Sequence, residues 1–237
     1  SPNILRDNSI STNVRDYTEK DKYDVVAMNP PFGGIEEDGI QINFPTEFRT
    51  SETADLFMTL IMFRLKEGGR AGVILPDGFL FGDDNAKLAI KKKLLSEFNL
   101  HTIVRLPNGV FAPYTSIATN ILFFDKTKPT EKIDYYQVPL PKDLKNGFTK
   151  TKPFKTEHLQ GVKAWWHNRD KEDKNAYSAT IEEIEKANYN LDFKNPNNGN
   201  KEKEYSLNEL LAMMKEKSRN IQRLIGELSE VLKGVEE

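Results

Sequence analysis

The chain has no cysteine among its 237 residues, which excludes a disulfide framework and any thiolate-bound metal. Its three histidines, His101, His158 and His167, are scattered, and the last two stand among polar residues. Metal sites need clustered ligands, so none is expected. No apolar run approaches the roughly 20 residues that cross a bilayer, and no signal-peptide pattern opens the chain; a cytoplasmic protein is the default expectation. A charge excess is lacking too. Lys and Arg number 34 against 36 Asp and Glu, for a net charge of −2, so a polyanion would be met through a local patch or with a partner. With 38% hydrophobic and 30% charged residues, the chain suffices for one α/β domain and an appendage.

The informative stretch is Tyr23-Asp24-Val25-Val26-Ala27-Met28-Asn29-Pro30-Pro31-Phe32-Gly33-Gly34. Residues 23–28 form an apolar run of strand length broken only by Asp24, the pattern of a buried parallel strand. Pro30 and Pro31 remove two backbone donors and fix two φ angles, so the strand must stop. Asn29 precedes a proline and is pushed towards extended geometry. The outcome is a stiff corner just past the carboxyl end of a strand, where open α/β sheets bind ligands. The Asn29 side-chain oxygen and the Pro30 carbonyl are two acceptors held side by side. They suit an exocyclic amino group with two hydrogens to donate, and Phe32 adds a flat face on which a base can stack. Drawing both N–H bonds out of the ring plane localises the nitrogen lone pair for attack on a methyl donor, by positioning and fixed dipoles.

Asn29-Pro30-Pro31-Phe32 resembles the catalytic motif of amino-group DNA methyltransferases, the adenine-N6 branch in particular. Ala54-Asp55-Leu56-Phe57 and the run from Leu65-Lys66-Glu67-Gly68-Gly69 to Leu75-Pro76-Asp77-Gly78 extend the likeness to the modification (methylase) subunit of type I restriction-modification systems, over residues 4–196. The resemblance implies methyl transfer from S-adenosylmethionine to N6 of adenine in DNA, on a Rossmann-like α/β fold. It assigns Asn29, Pro30, Pro31 and Phe32 to catalysis, and Phe111, with Phe32, to stacking on a base flipped out of the duplex. It gives Asp7, with Asn8 as the other candidate, to the adenine of the cofactor; a plain Asp-Asn turn is the competing reading. The family's glycine-rich cofactor loop belongs upstream of this segment, and nothing before Tyr23 reads as strand, glycine turn and helix start. The expectation is therefore a C-terminal fragment carrying half of the sheet with its last strand antiparallel, and binding cofactor weakly or not at all.

The remaining chain fits that organisation. Residues 35–50 are a long connection, either a substrate-side loop or a disordered surface loop. Residues 52–66 carry a helical stripe closed by Gly68-Gly69 as C-cap, and residues 71–76 a buried strand. A helix is expected over 85–97, where Lys87, Lys91, Lys92 and Lys93 read as a solvated face or as phosphate contacts. Strands are expected over 101–106, 117–124 and 132–138. Lysines then surround Phe148, Phe154, Trp165 and Trp166, a pattern that fits nucleic-acid contact or, for the tryptophans, packing. Thr180 and Glu183 form a capping box. The resulting division is a catalytic part at 1–194, a linker at 195–204 and a helical assembly segment at 205–237. In the last, Leu207, Leu211, Met214, Ser218, Ile221, Ile225, Leu228 and Leu232 keep an apolar seam over about four heptads. Such a helix needs a partner, and the resemblance names the DNA-specificity subunit, with the restriction subunit as the further member of the assembly and no membrane involved. Two rival readings are an amino methyltransferase acting on cytosine N4, RNA or a protein amide, and a non-catalytic module for assembly and DNA clamping.

Overall fold

A computed structural model describes residues 6–169, 172–197 and 207–233. The chain divides into two units, residues 1–197 and 198–237. In the first, β1 (Tyr23–Met28) ends where the two prolines begin. One helical turn, α1 (Asp38–Gln41), interrupts the connection to α2 (Thr53–Arg64), which runs directly into β2 (Leu65–Pro76). Next come α3 (Asp77–Phe81), α4 (Asn85–Glu97), β3 (Asn99–Arg105), β4 (Thr119–Asp125) and β5 (Lys132–Gln137). A long excursion carries α5 (Gln160–Trp166) before β6 (Ala176–Thr180) and α6 (Ile181–Lys186). The second unit is α7 (Leu207–Lys233).

The six strands form one sheet in the order β1-β2-β4-β3-β5-β6. β1 and β2 are parallel, as are β3 and β5, while β4 runs antiparallel to both its neighbours and β6 antiparallel to β5. The antiparallel strand is therefore inserted between β2 and β3, and the sheet continues past it. The main core covers one face, where Val73, Leu75, Ile103, Leu122, Phe124 and Tyr135 meet α2, α4 and Ile184 of α6. The other face is covered around β3 and β5, by Val162 and Trp165 of α5 against Val104 and Tyr136.

Four expectations change. First, among the described residues β1 lies at the edge of the sheet, as a half sheet would leave it, and is not buried on both sides: Tyr23 and Val25 are 50% and 54% exposed. An apolar run shows that one face is covered, here through Val26 and Met28, but cannot show a neighbour on each side. Second, Gly68-Gly69 does not cap the helix. Leu65 is already extended, and Gly68 (φ +72°) turns inside β2, where its N–H bonds the Lys126 carbonyl at 2.9 Å. Third, Lys87 and Lys91 of α4 are buried and so are neither a solvated face nor a phosphate grip. Fourth, the 35–50 connection is ordered, with Phe44 and Phe48 in the interior.

Candidate active site

The corner after β1 is held from behind and open in front. Pro30 is buried, whereas Asn29 is exposed, and among the described residues its side-chain amide has no intramolecular partner. Gly33 takes φ +69°, a left-handed turn that glycine adopts without cost. The next three residues zip onto the start of α2. The Thr53 N–H donates to the Gly34 carbonyl (3.1 Å), the Glu36 N–H to the Ser51 carbonyl (2.7 Å), and Ile35 bridges Glu52. The Thr53 hydroxyl donates to a Glu36 carboxylate oxygen at 2.9 Å. Gly34 is required here, because a Cβ would run into the Thr53 hydroxyl. A long loop thus has its ends pinned together immediately after Phe32.

Beneath this zipper lies a buried charge cluster. The Lys87 ammonium meets Asp55 at 2.8 Å, Asp84 at 3.4 Å, and Glu52. Burial alone would lower the Lys87 pKa, but Asp55 and Glu52 hold it above the usual lysine range. Asp55 is pushed up to about 6 by burial, with the Glu52 and Asp84 charges adding to the rise against the pull of Lys87. Neither Asp55 oxygen has a well-aligned hydrogen-bond donor.

The second aromatic arrives from the other side of the sheet. The 107–118 loop links β3 to β4, and its Phe111 ring stands 6.0 Å from that of Phe32 at an interplanar angle of 72°. Asp77, at the carboxyl end of β2, ties the two stems of this loop: its Oδ1 accepts from Asn120 Nδ2 at 2.6 Å and from Arg105 Nη2 at 3.4 Å. Its backbone N–H donates to the Ala118 carbonyl at 3.0 Å. Arg105 also pairs with Asp192. Of these four polar residues only Asp77 was singled out in the sequence, and that as part of the methylase-like run without a role. The available signal was their position, since Asp77, Arg105 and Asn120 all sit at strand ends on the edge that carries Asn29.

Asp7 and Asn8 are exposed. The Asn8 N–H donates to Asp7 Oδ1 at 2.7 Å, and Asn8 Oδ1 accepts from the Ile10 N–H at 3.2 Å. Among the described residues, no hydrogen bond, ion pair or ring contact joins them to the Asn29–Phe32 corner. Their segment packs through Ile10 and Val14 against Phe44, Leu56 and Leu60. Two surface concavities lie elsewhere: a polar one near Asp134, Arg169 and Asp173, and an apolar one near Ile121, Phe123 and Trp166. Among the described residues, no group of His, Asp or Glu could hold a metal ion, and no helix is long and apolar enough to cross a membrane.

An α/β sheet with an inserted antiparallel strand, and an Asn-Pro-Pro-Phe corner at the carboxyl edge of its parallel strands, is the arrangement expected from the resemblance to DNA methyltransferases. The N-6 DNA Methylase family model matches residues 2–205, and the chain belongs to that family. It is 46% identical over 97% of its length to the methylase subunit of the type I restriction enzyme EcoEI from Escherichia coli, of which it covers 47%. Among solved structures, it matches a type I restriction-modification complex with a TM-score of 0.78 and 37% identity, over 98% of this chain and 49% of that one. It matches the EcoKI M protein with a TM-score of 0.64 and 26% identity, over 79% and 46%. The chain thus spans about half the length of these relatives.

Proposed function

We propose that this chain supplies the base-binding part of a type I modification enzyme that transfers a methyl group from S-adenosylmethionine to N6 of adenine in DNA. The observation that carries the reading is the exposed, unpartnered Asn29 amide on a rigid corner, with Phe32 and Phe111 already paired beside it. The Asn29 side-chain oxygen and the Pro30 carbonyl accept the two amino hydrogens, and Pro31 fixes the turn between them and Phe32. The two rings, set edge to face, offer the extruded adenine one flat face and one rim. The cofactor supplies an electrophilic methyl carbon. With both amino hydrogens drawn to the Asn29 and Pro30 oxygens, the N6 lone pair would be turned towards that carbon, and the proton displaced from N6 on methylation would leave to solvent. Among the described residues, one Asp7 carboxylate oxygen has no hydrogen-bond partner, which fits a single contact to the cofactor's adenine; Asn8 stands next to it.

In the same reading, α7 joins the DNA-specificity subunit, and the restriction subunit completes the assembly in the cytoplasm. Leu210, Leu211, Met214, Ile221 and Leu224 are exposed on this helix, Met214 by 67%. The side chains of Leu207, Leu228 and Leu232, and residues 198–206 of the expected linker and segment start, lie outside the described residues. Met214→Asp with Ile221→Asp is expected to abolish co-purification with the specificity subunit while leaving the first unit's melting unchanged. Retained co-purification would rule the helix out.

The decisive experiment is Asn29→Ala in the complete methyltransferase that carries this chain, assayed by transfer of a labelled methyl group to duplex DNA with nucleoside analysis of the product. Loss of one preorganised acceptor is worth about 10²–10³ in rate, and the exposed site predicts unchanged unfolding. Methylation at the normal rate, or a product other than N6-methyladenine, sinks the assignment.

A further inference from the structure

Tyr114 is 93% exposed, unusual for an aromatic ring of this size. Its backbone is nevertheless fixed. The Tyr114 N–H donates to the Phe111 carbonyl at 2.9 Å, one step after the Ala112 N–H donates to that of Gly109. A turn of this kind keeps its end residues within about 7 Å, so Tyr114 stands one turn away from the ring that faces Phe32. Both stems of the loop are tied by Asp77. Its flank is clamped as well: the Phe148 N–H donates to the Asn108 carbonyl at 2.9 Å, and a Cβ on Gly147 would lie 2.6 Å from that same oxygen.

The clamped segment is basic. Residues 139–163 hold six lysines against two carboxylates in a protein of net charge −2. Lys145 and Lys150 are exposed, have no ion-pair partner among the described residues, and lie two residues from Gly147 and Phe148. Two residues of chain span at most about 7 Å. Both lysines are therefore anchored beside the same loop, with their ammonium groups one side-chain length further out.

We propose that this surface faces duplex DNA, with Tyr114 entering the space that the extruded adenine leaves in the stack and Lys145 and Lys150 holding the flanking phosphates. The proposal rests on the adenine-methylation reading and adds the side chain that keeps the base out. Proteins that unstack a duplex insert apolar wedges in this way. A tyrosine held on a tied loop loses little freedom when it does so.

The test uses the complete enzyme and duplexes carrying the target adenine opposite either thymine or an abasic site. Tyr114→Ala is expected to slow single-turnover methylation of the paired adenine about 5- to 150-fold, the range for losing one aromatic–base stack. The abasic partner should restore the rate, because an unpaired base needs no wedge. Tyr114→Phe should stay within about 2-fold of wild type, since the ring face is kept. Lys145→Gln with Lys150→Gln should make the plot of log affinity against log salt shallower by about 1.8, at about 0.9 per phosphate contact. Lys20→Gln with Lys128→Gln, at the amino edge of the parallel strands, should leave it unchanged.

Normal methylation of the paired adenine by Tyr114→Ala overturns the proposal while leaving the Asn29 assignment standing. A defect that persists opposite the abasic site, or an unchanged salt slope, also overturns it. Loss of a protein subunit from the Tyr114→Ala enzyme at unchanged activity would instead make the ring a protein contact. Absence of adenine methylation by the wild-type enzyme removes both readings together.

Discussion

Replacing Lys87 by Met should be among the most damaging single changes to this unit. The ammonium is one cation among three carboxylates, with Asp55 buried beside it and Glu52 at the head of the zipped loop. Removing one partner of a buried pair leaves the other uncompensated, at a cost of about 3–5 kcal/mol. Part of this penalty already shows in the intact protein. A carboxyl shifted from 3.8 to about 6 is disfavoured as an ion by about 3 kcal/mol at pH 8. Because the folded pKa lies above the unfolded one, the folded state holds the extra proton between pH 4 and 6, and stability falls as pH rises through that window. Without Lys87 the window widens upward. The Lys87→Met deficit should therefore be full at pH 8 and markedly smaller at pH 5, where Asp55 is protonated. Urea melts at the two pH values read the difference as a shift in midpoint at constant slope. Thermal melts should drop by about 6–20 °C at pH 8. The double change Lys87→Met with Asp55→Asn should recover about half of the loss or more. A deficit below about 1 kcal/mol, or one equal at both pH values, would refute the account of the cluster.

Two further outcomes follow from the same region. Gly34→Ala should prise the loop zipper from Thr53, costing about 1–3 kcal/mol of stability. It should also raise hydrogen exchange at the Glu36 and Thr53 amides, and unchanged protection there would mean that the zipper is dispensable. Lys91, buried with its ammonium donating to the Leu80 and Gly82 carbonyls at 3.2 and 2.7 Å, is lowered by burial to about 8. Its folded pKa is below the unfolded one, so stability should rise by about 3 kcal/mol from pH 8 to 10.5 relative to a Lys91→Met variant; parallel profiles for the two proteins would contradict this.

The corner itself was legible because proline geometry is local: residues 29–32 dictate where the strand stops and which side chain is left at its end. The pairing of Phe111 with Phe32 came from resemblance alone, since nothing within the 107–118 loop specifies how its stems are tied. Those ties reside in Asp77, Arg105 and Asn120, polar residues far apart in sequence whose grouping depends on β4 entering between β2 and β3. Helical spacing located α4 but misjudged its lysines, because spacing reports a face and not what the face meets. β6 escaped notice because Ala-Tyr-Ser-Ala-Thr has little apolar pattern. It is held through the stacking of Tyr177 on Tyr135 at 5.0 Å. The paired tryptophans proved to be chiefly packing, with Trp165 buried against Tyr136 and Arg169 over both indoles.

Among the described residues β1 has a neighbour on one side only, and the open side would govern how this segment, taken by itself, behaves at high concentration. Its outer row of backbone donors and acceptors is a template for another strand, and the exposed rings and methyls of Tyr23 and Val25 make such pairing adhesive. The lone deterrent on that strand is the Asp24 carboxylate, drawn towards Lys66 at 2.9 Å. In this segment by itself, salt that screens the charge would favour edge-to-edge pairing of copies, and dilute, low-salt handling the dispersed form.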